Sequence, residues 1–202
     1  MTDTPRWAAL SGIAGLAGNS LLILFFALAR PWTAGVTGYE WLGPANDVLV
    51  VVQFAALVPV AMAVHARLGL GRGTTAAGVT AMAGVVVLQL ALLAGVLAFE
   101  VQVYGVLVCL VVTFGWVLVA SRAGRSVLPA QLVRLGTVVG VGFPAGLVIA
   151  AAGLLAPGGS VVQYVVWGLA GVFGLVGYLG LPFWPLALAR SVPAPVALGV
   201  AR

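Results

Sequence analysis

Between Thr75 and Ala120 the chain carries a single charged residue, Glu100, with a long apolar stretch on either side of it. A helix rises about 1.5 Å per residue, so about 20 apolar residues cross the roughly 30 Å hydrocarbon core of a bilayer. Each stretch is long enough to do so. Glu100, within Phe99, Glu100, Val101 and Gln102, then marks a turn at a membrane surface. Two further apolar stretches precede this hairpin and two follow it. The expectation is an all-α membrane protein, a bundle of six transmembrane helices in three hairpins.

Composition removes the soluble alternative. With 63% hydrophobic and only 6% charged residues, too little polar surface exists to coat a water-facing shell. Lipid must be the solvent. The expected spans run from about Trp7 to Ala29, Val48 to Ala66, Thr75 to Phe99, Val103 to Ala120, Ala130 to Leu155 and Val161 to Leu181. They form one domain over residues 1–190, and residues 191–202 read as a short disordered tail. Ala27-Leu28-Ala29 looks like a cleavage box, but the run before it exceeds the h-region of a signal peptide, about 7–15 residues.

All nine cations are Arg, with no Lys. Arg6, Arg67, Arg72, Arg122, Arg125, Arg134, Arg190 and Arg202 fall on one side of the six crossings and only Arg30 on the other. By the positive-inside rule both termini are cytoplasmic, in the cell membrane, and Glu40, Asp47 and Glu100 face outside. Arginines at helix ends mark topology and meet anionic headgroups; they are not the clustered basic surface that nucleic acid needs. All six Trp sit near expected span ends, as an aromatic belt requires.

Local signals set expectations for individual helices. Thr4-Pro5 and Thr74-Thr75 read as N-terminal caps, as do Asn46-Asp47 after Gly43-Pro44 and Ser160 after Gly158-Gly159. The segment 31–45 reads as an interfacial loop or surface helix. Pro59 and Pro144 should kink their spans. Small residues four apart in the first span (Ala8 and Gly12, Ser11 and Gly15, Ala14 and Gly18) mark a face for close helix approach. So do Gly136 with Gly140 and Gly142 with Gly146. Gly168, Gly171, Gly174, Gly177 and Gly180 recur every third residue and wind around the sixth span, which should place it centrally, before Leu181-Pro182-Phe183-Trp184-Pro185 breaks it near the interface.

Several membrane chemistries are excluded. Without Lys there is neither a retinal Schiff base nor a P-loop lysine. With His65 as the one histidine, a bis-histidine haem or a His-rich metal site cannot be built within this chain. No cofactor and no metal is expected. His65 and the lone Cys109 read as structural.

The polar residues cluster by depth. Asn19, Gln53, Gln89, Glu100, Gln102 and Tyr104, with Asp47, fall in the external half or near the midplane. Gln89 and Glu100 are eleven residues apart, almost three helical turns, and so share a face if one helix holds both. Asn46 and Gln53 share a face of the second span. Converging, these faces would line a polar cavity open to the outside, with Asn19, Gln53, Gln89, Glu100, Gln102 and Tyr104 as ligand-binding candidates. Three functions fit. A binding or transport protein would hold a small, weakly polar or lipid-like molecule there. A membrane enzyme acting on a lipid or isoprenoid would need Glu100 and Asp47, or Glu40, paired as acid and base. An accessory subunit would engage a membrane-protein partner through its glycine-rich faces.

Overall fold

Residues 3–33 and 35–191 are described by a computed structural model, and every regular element among them is helical. In lipid each backbone N–H and C=O must find its partner within the segment, which leaves the helix as the solution for apolar runs of this length. Helix α1 (Thr4–Leu24) widens into a π-helical turn, Phe25–Ala29. There follow α2 (Leu42–Leu68), α3 (Arg72–Leu93), α4 (Phe99–Ala123), α5 (Ala130–Gly153), α6 (Val161–Gly180) and α7 (Phe183–Ser191). Six segments are long and apolar enough to cross a membrane, α6 and α7 together forming the last. The bundle and its six crossings thus match the sequence expectation; of the expected tail 191–202, Ser191 is the last residue of α7 and 192–202 lie outside the described residues.

Helices α1 to α5 are successive neighbours, and α7 closes the arrangement by packing on α1 and α5. The small-residue face of α1 is buried as its spacing requires: Ala8, Ser11, Gly12, Ala14, Gly15 and Gly18 all lie inside. A Cβ on Gly12 would stand 2.7 Å from the carbonyl oxygen of Pro182, and one on Gly15 would stand 2.7 Å from the Pro182 ring. Glycine is what lets α7 approach. On α5 the two glycine pairs divide their work. Gly136 and Gly140 face α4 and Trp184, while a Cβ on Gly146 would come within 2.6 Å of the Gly174 nitrogen on α6.

Several expectations are corrected. Helix α6 is peripheral, not central: it packs along α5, and Cβ atoms on Gly168, Gly171 and Gly174 would meet nothing within 4 Å. A three-residue glycine step winds around a helix whether or not neighbours surround it, so it carries no information about centrality. The break at Leu181-Pro182 starts a new helix and does not end the span. Pro182 has no N–H, so the Tyr178 carbonyl accepts from Leu181 at 3.3 Å and the chain turns inward. The last crossing has 31 residues, well over the roughly 20 that span a bilayer, and the turn accommodates the excess.

Two tryptophans leave the expected belt for the core. Trp184 and Trp116 are 0% and 2% exposed and meet edge to face at 5.9 Å, and Trp184 Nε1 donates to Ser121 Oγ at 3.1 Å. Helix α2 begins at Leu42, so Asn46 and Asp47 stand inside it and cap nothing. Pro44 lies in the first turn of α2, where its missing N–H would be unpaired in any case. Thr75 likewise caps no helix, since α3 begins at Arg72, and its hydroxyl instead meets His65 Nδ1 at 2.9 Å, tying α2 to α3. Thr4 is the first residue of α1, with Asp3 at the cap position. Ser160 does cap α6, accepting from the Gln163 N–H. Pro59 and Pro144 sit within helices that continue through them.

Candidate functional site

The end of α1 supplies one wall of a cavity. Leu22, Phe25, Phe26 and Ala29 stand at i, i+3, i+4 and i+7, one face of the helix and its π turn, and all four line a space of about 700 Å³. Arg30 ends the turn in the left-handed region, at φ 47°, and sends the chain across the mouth. The start of α2 forms the opposite wall, with Gly43, Pro44, Asn46 and Asp47, and Phe99 closes the side. Gly43 faces the Phe25 ring across the space, close enough that a Cβ there would meet it at ordinary contact distance, 3.4 Å.

The crossing loop is shaped by one carboxylate. Glu40 Oε1 accepts from the Thr37 backbone N–H at 2.6 Å and from the Thr37 hydroxyl at 3.2 Å. Those bonds, the backbone one foremost, hold the Glu40 carboxyl below its ordinary value, because hydrogen bonds to the charged form favour it. Pro31, Thr33, Gly35 and Glu40 complete the lining.

At the cavity floor the half-buried Asp47 is fixed by a chain of amides. Gln89 Nε2 donates to Asp47 Oδ1 at 3.0 Å, and Gln102 Nε2 donates to Gln89 Oε1. Gln89 and Gln102 are 5% and 4% exposed, so this chain ties α2, α3 and α4 through the apolar interior. It also aims the carboxylate.

The remaining candidates separate from this group. Gln89 and Glu100 do not share a helix face, because α3 ends at Leu93 and Glu100 belongs to the first turn of α4. Glu100 is exposed, and its neighbour Phe99 is the residue that lines the cavity. Tyr104 is 72% exposed on the outside of the bundle. Asn19 is buried with its side-chain Nδ2 unpaired, and Asn46 Oδ1 is likewise unpaired, lying 3.3 Å from where a Gly18 Cβ would stand. Gln53 is buried deeper, against Gly15. Asn46 and Gln53 do share the buried face of α2.

Sequence reasoning placed Glu40 in the 31–45 connection but missed Phe25, Phe26 and Phe99 as cavity lining. The four-residue face from Leu22 to Ala29 was a readable signal, hidden because every neighbouring position is apolar too. No family description matches the chain, and no curated protein or solved structure shows significant similarity to it.

Chemically, the cavity offers an apolar, aromatic body with one anchored carboxylate at its floor and a second on its loop. Its size falls in the range of small-molecule sites, about 300–1,000 Å³. Among the described residues no group of three His, Cys, Asp or Glu side chains could hold a metal ion.

Proposed function

We propose that this is a binding or transport protein of the cell membrane, with both termini cytoplasmic, whose external cavity takes up a small amphiphilic molecule. The reading is carried by one observation: Asp47, held by Gln89 from beneath, lines a 700 Å³ cavity whose other walls are largely apolar. A solvated surface acid needs neither a cavity nor an amide chain reaching through three helices. Glu40 also lines the cavity, but its Oε1 already accepts twice from Thr37, which makes it a poor partner for the acid–base pair an enzyme would need.

Native mass spectrometry of gently extracted protein tests the reading. An adduct carried by the wild type and lost in Leu22→Trp, which fills the cavity from its α1 wall, is the expected result. An adduct retained equally by the filled variant, or no uptake of any amphiphile, overturns it. Labelling of a cysteine at position 100 from the external side tests the orientation, after Cys109→Ala removes the native thiol.

A second reading, the accessory subunit, is favoured by the open space beside Gly168, Gly171 and Gly174, where a partner helix could approach closely. Crosslinking from α6 to one stoichiometric membrane protein would support it.

A further inference from the structure

Resting on the reading of this cavity as a ligand site, we infer that its ligand is an organic cation with an apolar body, an ammonium in chemical class. The charges facing the space are of one sign. Asp47 and Glu40 both line it, and among the described residues no Arg or His does. Arg30, the nearest cation along the chain, caps the π turn but is not part of the lining.

The aromatic walls point the same way. Phe25 and Phe26 pack edge to face at 5.5 Å, and Phe26 stacks on Trp32 at 6.2 Å. Phe25, Phe26 and Phe99 all line the space, so aromatic rings border a ligand from the end of α1 and from the start of α4. Ring faces attract a cation, by about 0.5–1 kcal/mol at exposed sites and about 2 or more when water is excluded. They do nothing comparable for an anion. The apolar lining accounts for the ligand's body, and the carboxylates account for its charge.

The division of labour between the two acids follows from their bonds. Glu40 is tied to Thr37 and holds the loop in place, adding negative potential at the mouth. Asp47 accepts from Gln89 through Oδ1, which orients the carboxylate while leaving it half-exposed to the cavity. Asp47 is therefore the direct partner of the ammonium group. A neutral alcohol of the same shape would gain the apolar walls without the ion pair, and a carboxylate would meet two like charges.

Three probes sharing one body decide the matter: phenylbutylammonium, phenylbutanol and phenylbutyrate, titrated into protein in phosphatidylcholine nanodiscs and followed by tryptophan fluorescence and calorimetry. The ammonium should bind at least tenfold more tightly than the alcohol, the carboxylate most weakly. In Asp47→Asn the preference for the ammonium should collapse to within threefold, with alcohol binding kept, and raised salt should weaken the ammonium alone. Should Asp47→Asn fail to fold, the salt series on the wild type still decides. Equal binding of ammonium and alcohol, or a preference for the carboxylate, overturns the cation assignment and leaves the cavity reading intact. Binding of none of the three overturns both.

Discussion

Replacing Gln89 by Leu should cost more stability than replacing Gln89 and Gln102 together. Gln89 is the middle of the chain from Gln102 to Asp47, so Gln89→Leu removes two interhelical bonds and leaves the Gln102 amide in an apolar interior without a partner. Such bonds average about 0.6 kcal/mol in membrane bundles, and an orphaned buried amide costs about 1–3 kcal/mol. The single variant should lose about 2 kcal/mol on those figures. Gln102→Leu breaks one bond and orphans the Gln89 oxygen, for about 1.5 kcal/mol. The double variant loses both bonds but orphans no buried amide, since Asp47 is half-exposed and can be hydrated; it should lose only about 1 kcal/mol. The two sites are therefore coupled, the double falling about 2.5 kcal/mol short of the sum. Reversible unfolding in mixed dodecyl sulfate and maltoside micelles, followed by circular dichroism, measures all three. Strict additivity would refute the chain as a unit.

Three other perturbations follow. Gly146→Ala drives a methyl to 2.6 Å from the Gly174 nitrogen and should cost about 1–3 kcal/mol by overpacking, while Gly171→Ala, with open space around it, should be neutral or stabilising by up to about 1 kcal/mol; the same unfolding assay fails the packing argument if the order reverses. Ser121→Ala leaves the buried Trp184 indole N–H without its acceptor and should cost about 1–3 kcal/mol, with Trp184→Phe in the same background recovering part of it. The Glu40 carboxyl is held below its ordinary 4.5, so its contribution to loop structure is present above that value and is lost as pH falls through the lowered one; Trp41 fluorescence should report an acid transition below 4.5 that Glu40→Gln abolishes, and a transition at or above that value would contradict the Thr37 bonds.

What the sequence made legible follows from which signals the bilayer amplifies. Run length and the scarcity of charge fix six crossings, because lipid penalises every alternative. The face from Ala8 to Gly18 was equally readable, since small residues four apart have one strong use in such a helix. Gln89 and Gln102 stood out because amides at that depth must find partners, and Asp47 stood out as a carboxylate at a span end. Boundaries were less legible. Asn46-Asp47 reads as the cap of a span that instead starts at Leu42, and the end of α3 at Leu93, not Phe99, separates Glu100 from Gln89. Centrality was not legible at all, because in a chain this apolar the exposed side of α6 and the core-facing side of α5 are both apolar and both carry glycine.

Pro182 and Leu186 reach Gly12 and Gly15 across nearly the whole length of the chain. During synthesis, α1 must therefore wait in the membrane with its glycine notch unfilled until the final helix emerges. Every earlier pair can form with the neighbour just made, but this closure is a long-range event and the natural candidate for the slow step of assembly. A chain cut before residue 182 would retain five crossings and the whole of α6, yet leave that notch without the residues that fill it.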